Sequence, residues 1–553
     1  MKFCTALMPV LYTLLLSVQA PFAWPQDHPQ SDGPVRLYHN PIIPGFNPDP
    51  SICRVGDDYY LVTSTFEYFP GIPIYHSRDL VHWRMLGHVL SRPSQLDLDT
   101  IRASGGVYAP TIRWHKGTFY VINTLVGKKG NFVVTATNPD GPWSEPYWID
   151  GAPGIDPSLF FDDDGKVYYT GNRRPEGLPA DTKTREIWLQ EIDVKTMNLV
   201  GERSAILYEG ALHGANNAEA SHLYKRDGIY YLVIAEGGTS DNHAVTVFRS
   251  TAIRGPYEGN KKNPILTHRH LGMEYPIAAT GHADMVETQT GEWWMVLLGV
   301  RPYGGFHYNL GRETFLARVV WEGGWPVVNP GEGKVLSEGP APVLPPHPFV
   351  TRPACDNFEG AALSPQWYFW RTPRTVWYSL SERPGFLRLS LRPDAITGPE
   401  QPSCLLRRQE HIHCSVRLAM EFAPRKEKET AGLVLVQSPN FHFRLEYMLK
   451  ASAPTVVLTR RFRGEDSVIA SVPLDAKRLY LKVEAKAQAY SFFYAVADEQ
   501  WRVLQENVDG RTLSRTNAGG FVGTMIGPYA SSNGTRSSRY AEFDWFEYKG
   551  ETQ

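Results

Sequence analysis

Residues 156–171 read DPSLFFDDDGKVYYTG: an Asp-Pro-Ser start, a short apolar strand, a polar turn at Asp-Gly, and an aromatic pair opening a second strand. Four other segments follow the same plan: DPSICRVGDDYYLV (49–62), APTIRWHKGTFYVI (109–122), EASHLYKRDGIYYLV (219–233) and HADMVETQTGEWWMVLL (282–298). In chain order, the first residue precedes the first aromatic of the pair by ten, ten, twelve, eleven and eleven positions. A strand–turn–strand of nearly constant length meets that spacing, with Asp-Gly or Lys-Gly at the turn in three of the copies. The copies recur about every 50 to 65 residues, which suits one four-stranded propeller blade each. No long stripe of 3.6-residue periodicity competes. The expected fold is all-β, with a five-bladed β-propeller over residues 35–328.

Radial repetition directs equivalent positions toward one axis. Here those positions hold Asp49, Ala109, Asp156, Glu219 and His282. Three carboxylates and an imidazole are therefore expected at one mouth of the channel. Like charges held together are costly, and the cost splits their pKa values in the way acid–base chemistry needs. An Asp-Pro-Ser can also simply cap backbone amides in an Asx turn. Three carboxylates in register favour the convergent reading.

Residues 329–350, NPGEGKVLSEGPAPVLPPHPFV, are rich in Pro and Gly and read as a linker packed along the surface. Beyond it the pattern becomes alternation. Phe441, Phe443, Leu445 and Tyr447 alternate with His442, Arg444 and Glu446, and Leu479, Leu481, Val483 and Ala485 with Tyr480, Lys482 and Glu484. Half-buried antiparallel strands have this signature, so residues 351–553 are expected to form a β-sandwich. Its role stays open among a carbohydrate-binding module, a brace and a lid.

A chain of 553 residues is long for one domain and suits two. A formal net charge of −2 offers no basic field for phosphate, so nucleic acid is not an expected partner. The start resembles a secretory signal over residues 1–23: Lys2, an apolar run from Cys4 to Val18, and small residues at Ala20 and Ala23. The run is short for a membrane span. The protein is therefore expected to be extracellular, with no membrane partner. Cys53, Cys355, Cys404 and Cys414 then remain, either as free thiols or with Cys404 and Cys414 as the nearest pair in sequence. Asn533-Gly534-Thr535 is an N-glycosylation sequon for a eukaryotic host. The run Asp162-Asp163-Asp164 lacks the alternating ligand spacing of a calcium loop and reads as a solvated turn.

These segments resemble glycoside hydrolase family 43, in its β-xylosidase and α-L-arabinofuranosidase branch. The resemblance is carried by NPIIPGFNPDPSI (40–52), TSTFEYFPGIPIYHSRDL (63–80), GIDPSLFFDDDGKVYYTG (154–171), HLYKRDGIYYLVIAEGG (222–238), TGHADMV (280–286) and LGRETFL (310–316). AGGFVGTMIGPYASSNG (518–534) and AEFDWFEYKG (541–550) extend it through a concanavalin-like C-terminal domain. It implies Asp49 as general base, Glu219 as general acid, and Asp156 as the residue that orients the acid and raises its pKa, in an inverting mechanism. It also implies that Arg312 meets a sugar hydroxyl and that Phe66 lines the terminal-sugar pocket. His282 resembles a histidine near the axis that touches an ion in several relatives. No cofactor is required, and a structural Ca2+ or Na+ at the axis is the one ion implied. Three departures touch the pocket. Glu219-Ala220-Ser221-His222 replaces a more usual Glu-Gly-Pro-His, Tyr108 stands where Trp is frequent, and Met525 occupies a loop position that is frequently aromatic.

The implied function is a secreted exo-glycosidase releasing terminal β-D-xylose or α-L-arabinofuranose from plant cell-wall oligosaccharides of the xylan or arabinoxylan type. Two other readings stay open. A catalytically silent carbohydrate-binding propeller would fit the altered sequence after Glu219. An endo-arabinanase would release oligomers.

Overall fold

The computed structural model describes residues 35–551; the segment read as a signal, 1–23, lies outside the described residues. Five four-stranded sheets stand in a ring, each wound in chain order from the axis outward, with short extra strands on the second and fourth. Their inner strands are Ser51–Val55, Thr111–His115, Ser158–Phe161, Glu219–Arg226 and Ala278–Glu287. These are the first strands of the five sequence repeats. Two of the hairpins close on two-residue turns with both φ angles positive, Lys116-Gly117 and Asp227-Gly228. That turn follows the strands' own twist.

Each seam between blades has its own apolar core. Tyr59, Leu61, Trp294 and Val296 fill the seam between the first and fifth, Tyr169 and Trp188 the one between second and third, and Leu232 and Ile234 the one between third and fourth. The aromatic pairs of the repeat thus serve two seams: Tyr59 packs toward the fifth blade and Tyr60 against the second. The ring is clipped shut by the N-terminal segment. Leu37–His39 pairs with Glu338–Pro340, Asn40 caps Leu316 in both directions, and Ile43 bridges Thr314. The stretch 329–350 therefore contributes a strand, and it buries Val335 and Leu344.

The C-terminal part is a sandwich of two eight-stranded antiparallel sheets. One of these sheets ends in the propeller, because Tyr68–Phe69 pairs with Tyr368–Trp370. The two parts share a continuous core, in which Phe69 and Ile72 meet Phe369 and Leu405. This explains a departure from the expected alternation. Leu479–Ala485 is half-buried as its pattern predicts, but His442 and Glu446 are buried along with Phe443 and Leu445. Their face of the sheet carries Val434 and Val436, which pack on Phe46, Phe66 and Tyr68 of the propeller. A sheet face that docks on another domain needs no solvated side.

The four cysteines are free. Cys404 lies in the propeller-facing cluster and Cys414 in the core between the sheets, so nearness in sequence does not bring them together. Asp162 also departs from a solvated turn: it is buried and accepts from Lys225 Nζ (2.8 Å) and Tyr230 Oη (2.7 Å) of the next blade. Among the described residues no helix is long and apolar enough to cross a membrane.

Candidate active site

At the propeller mouth a cavity of about 240 Å³ is lined by Asp49, Asp156, Glu219, His282, Phe66, Tyr108 and Arg312, together with Asn172, Arg185, Asn217, Thr239 and Phe521. The three carboxylates expected to converge do so. Asp49 and Asp156, just before their strands, and His282, within Ala278–Glu287, each take a positive φ (56°, 53° and 50°). In the fourth blade Ala220, not Glu219, has that conformation (φ 53°). A bulge between Glu219 and His222 sets Glu219 back by one residue and still leaves it on the cavity wall. The Asp156 carboxylate accepts the Ala220 N–H. The third blade thereby holds the backbone beside Glu219.

The three acids sit in different fields. Burial alone would raise the Asp49 carboxyl, but Arg312, His282 and the Ser64 hydroxyl outweigh it and hold the group below its ordinary value. Arg312 makes a bidentate pair with it (2.7 and 3.2 Å), Ser64 Oγ donates at 2.6 Å, and His282 Nδ1 lies 3.7 Å away. Asp49 is thus a carboxylate. Burial and the neighbouring Asp49 push Glu219 up to about 7. Burial, Glu219 and Asp49 push Asp156 well up too. Asp156 and Glu219 face each other and titrate as a pair, which retains a proton near neutrality.

The remaining wall is aromatic. Phe66 packs edge-on to Tyr108 (5.2 Å between centroids) and tilted to Phe521 (5.6 Å), with the Arg312 guanidinium over Phe66 and Phe521. Phe521 comes from the sandwich. Its N–H donates to Ser104 Oγ (2.8 Å) and its carbonyl accepts from Arg312 Nε (3.3 Å). The approach depends on two glycines: a Cβ on Gly311 (φ 80°) would meet Gly523 Cα at 2.7 Å, and one on Gly523 would meet Leu310 O at 2.3 Å. Met525, expected on the pocket, is instead fully buried behind it in the strand Met525–Ser531. The residue of that stretch that reaches the cavity is Phe521, four positions earlier, because the loop before the strand, rather than the strand, crosses the mouth.

Deeper along the axis lies a second ring, unseen in the sequence. Asp284 of the fifth blade accepts from Ser51 Oγ (2.6 Å) and Ile52 N (3.1 Å) of the first, Arg113 Nη1 (2.8 Å) of the second and Tyr224 Oη (2.6 Å) of the fourth. Arg113 Nη2 contacts His222 Nδ1 at 2.9 Å. Burial and the guanidinium hold His222 down to about 3, so this nitrogen accepts. His282, the histidine the resemblance linked to an ion, lies on the cavity wall with Nδ1 3.7 Å from Asp49. Among the described residues no three His, Cys, Asp or Glu side chains form a cation site. Both Asp49 oxygens are already paired, and the positive charge facing Asp284 is a guanidinium.

Residues 38–326 match glycosyl hydrolases family 43, and residues 355–549 match the β-xylosidase C-terminal concanavalin A-like domain. The chain belongs to glycoside hydrolase family 43. It is 45% identical over 92% of its length, and 99% of the relative's, to a xylosidase/arabinosidase of Butyrivibrio fibrisolvens. It is 40% identical to a non-reducing-end α-L-arabinofuranosidase of Bacteroides ovatus, with 93% of this chain and 95% of the relative aligned. A solved xylan β-1,4-xylosidase of Bacillus halodurans superposes with a TM-score of 0.87 at 38% identity, covering 93% of this chain and all of the other. This family 43 protein is a glycoside hydrolase with a five-bladed propeller and a concanavalin-like second domain.

Proposed function

We propose that this glycoside hydrolase is a secreted, exo-acting, inverting enzyme that removes one terminal pentose, β-D-xylose or α-L-arabinofuranose, from xylan-type oligosaccharides. The observation that carries the reading is a single small cavity in which an ionised Asp49 and a protonated Glu219–Asp156 pair meet, walled on one side by Phe521 of the second domain. A wall across the mouth favours a chain end over an internal bond. The relative of Bacteroides ovatus that acts at non-reducing ends supports the same choice. The apolar start, residues 1–23, supports secretion.

In this scheme Asp49, kept anionic by Arg312, takes a proton from the water that attacks the anomeric carbon. Glu219 gives its proton to the leaving oxygen on the opposite face of the ring. Asp156 holds the Ala220 N–H and keeps the proton on the pair until it is needed. Phe66 and Tyr108 pack against the pentose. Acid catalysis of this kind contributes about 10²–10⁴-fold.

NMR of the first-formed anomer from xylo- and arabino-oligosaccharides tests substrate and stereochemistry together. Inversion with monosaccharide as the sole product is expected; retention or oligomeric products would overturn the reading. Glu219→Ala tests the acid. Its loss on xylobiose should greatly exceed its loss on an activated aryl pentoside, whose leaving group needs little protonation.

A further inference from the structure

The pentose pocket is not a dead end. Asn172, Arg185 and Ile155 line both it and an adjoining groove of about 560 Å³, more than twice the pocket's volume of about 240 Å³. In the proposed reaction the pocket takes the terminal sugar, so a groove continuous with it lies where the rest of the oligosaccharide must run. Its chemistry is unlike that of a neutral sugar platform. Four guanidinium groups, Arg173, Arg174, Arg185 and Arg203, face a single carboxylate, Glu176.

The four are not equivalent. Arg173 is neutralised by the buried Glu186 (2.5 Å) and touches Glu176 (3.4 Å). Among the described residues the other three make no direct ion pair, although Arg185 also feels the Glu219 carboxyl across the pocket and Arg203 feels Glu176. Arg203 lies over Trp188 (4.5 Å) and spends its bonds on Gln190 Oε1 (3.1 Å) and Gly151 O (2.5 Å). Arg185 donates only from Nη1, to the carbonyls of Thr182 and Thr184, both at 2.8 Å. Arg174 is exposed and makes no bond among the described residues. Between groove and pocket, Asn172 is 3% exposed. Its Oδ1 accepts from Ile155 N (3.1 Å), while its NH2 group has no acceptor among the described residues. Arg203 is further held below its ordinary pKa, by partial burial and then by the repulsion of Arg173, so an anion entering the groove would relieve the repulsion.

A set of like charges held apart by packing and backbone bonds, with donors left over, is built for an anion. We propose that this groove binds the aglycone side of the substrate and selects an acidic saccharide: an oligosaccharide whose unit next to the terminal pentose, or the one after it, carries a uronic acid. The geometry offers the carboxylate a fork from Arg203 or Arg174, with Asn172 and Arg185 at the join to the pocket. This rests on the exo-acting reading above, and it names the substrate class for that site.

The test compares a neutral xylo-oligosaccharide with the same chain bearing a glucuronic acid branch, in the wild type and in the double variant Arg174→Gln/Arg203→Gln. Neither arginine lines the pentose pocket. The wild type should show kcat/KM about five- to tenfold higher on the acidic chain, the size expected of one or two partly exposed charge pairs. That preference should shrink at high salt. The double variant should treat the two chains within about twofold of each other, and should keep the wild-type rate on an aryl pentoside, which is too short to run along the groove. Calorimetric binding of the acidic oligosaccharide reads the groove without turnover. Equal kcat/KM and equal affinity for both chains in the wild type, or a preference that survives the double substitution, would overturn the proposal while leaving pentose release intact. Tight binding of the acidic chain lost in the variant, with no pentose released from either chain, would sustain the groove and overturn the exo-glycosidase reading instead.

Discussion

Two rings of side chains surround the propeller axis, a few residues apart along the same five strands. The upper ring holds Asp49, Asp156, Glu219 and His282; the lower holds Ser51, Arg113, Ser158, His222 and Asp284. Both are polar and mostly buried, with Glu219 and Arg113 half-buried. In the lower ring one carboxylate faces one guanidinium and takes hydrogen bonds from three blades, and Asp284 is accordingly held well below its ordinary pKa. In the upper ring three carboxylates stand before Arg312, which pairs with Asp49, and Arg185, which acts on Glu219, and two of them are still pushed up. The lower ring satisfies its charges and ties the blades together. The upper ring pairs Asp49 but leaves Asp156 and Glu219 raised, and on the proposed mechanism the reactive proton resides on them.

Substitution by the isosteric amide should separate the rings most sharply. Asp284→Asn removes the charge facing Arg113, whose side chain is mostly buried, and breaking such a pair costs about 3–5 kcal/mol. Its denaturant midpoint should fall well below that of the wild type. Asp156→Asn keeps an acceptor for the Ala220 N–H and removes a like charge from beside Glu219. It should cost no stability at neutral pH and should still lower kcat by about 10²-fold or more. Equal destabilisation by the two changes would erase the distinction between the rings.

The pH profile sharpens the same contrast with a smaller effect. On the proposed mechanism Glu219 must be protonated, so activity should fall as pH rises through about 7. The acidic limb, set by Asp49, should lie below that residue's ordinary range. In Asp156→Asn the repulsion that helps hold the proton on the pair is gone, so the alkaline limb should move to lower pH. A limb that stays in place would show that burial and Asp49 set it without Asp156.

Much of this is legible in the sequence, for a physical reason. A radial repeat transmits register, so the hairpins, the five blades and the meeting of Asp49, Asp156 and Glu219 follow from spacing. What falls outside the repeat is not legible. Arg185, Asn217 and Thr239 reach the cavity from connecting loops, whose paths no periodicity sets. Phe521 and Met525 share one short stretch, and only the docking of the sandwich on Gly311 decides which of them faces the sugar. Arg113 sits four residues after Ala109, the one mouth position without a polar side chain. It reads as an ordinary strand residue until Asp284, Ser51 and His222 are seen around it. The offset of Glu219 was hidden because a bulge changes register without changing composition.

Glu67 lies outside both rings and marks the smallest expected effect. It follows the pocket residue Phe66 and precedes Tyr68–Phe69, the strand lent to the sandwich. It is fully buried, accepts Ser104 N–H at 3.0 Å through Oε2, and its Oε1 has no partner. Burial pushes its carboxyl up to about 7 against the backbone bonds and Arg371. The native chain therefore binds this proton more tightly than the unfolded chain does. Glu67 costs nothing below its unfolded pKa near 4.5, and its penalty grows until pH passes about 7. Glu67→Gln removes the charge and keeps an acceptor for Ser104. It should leave stability at pH 4.5 nearly unchanged, raise it by roughly 1–3 kcal/mol at pH 8, and flatten the fall between the two. Denaturant midpoints across that range read the difference directly. An unaltered slope in Glu67→Gln would place the whole pH dependence in the upper ring, with none at the seam between the domains.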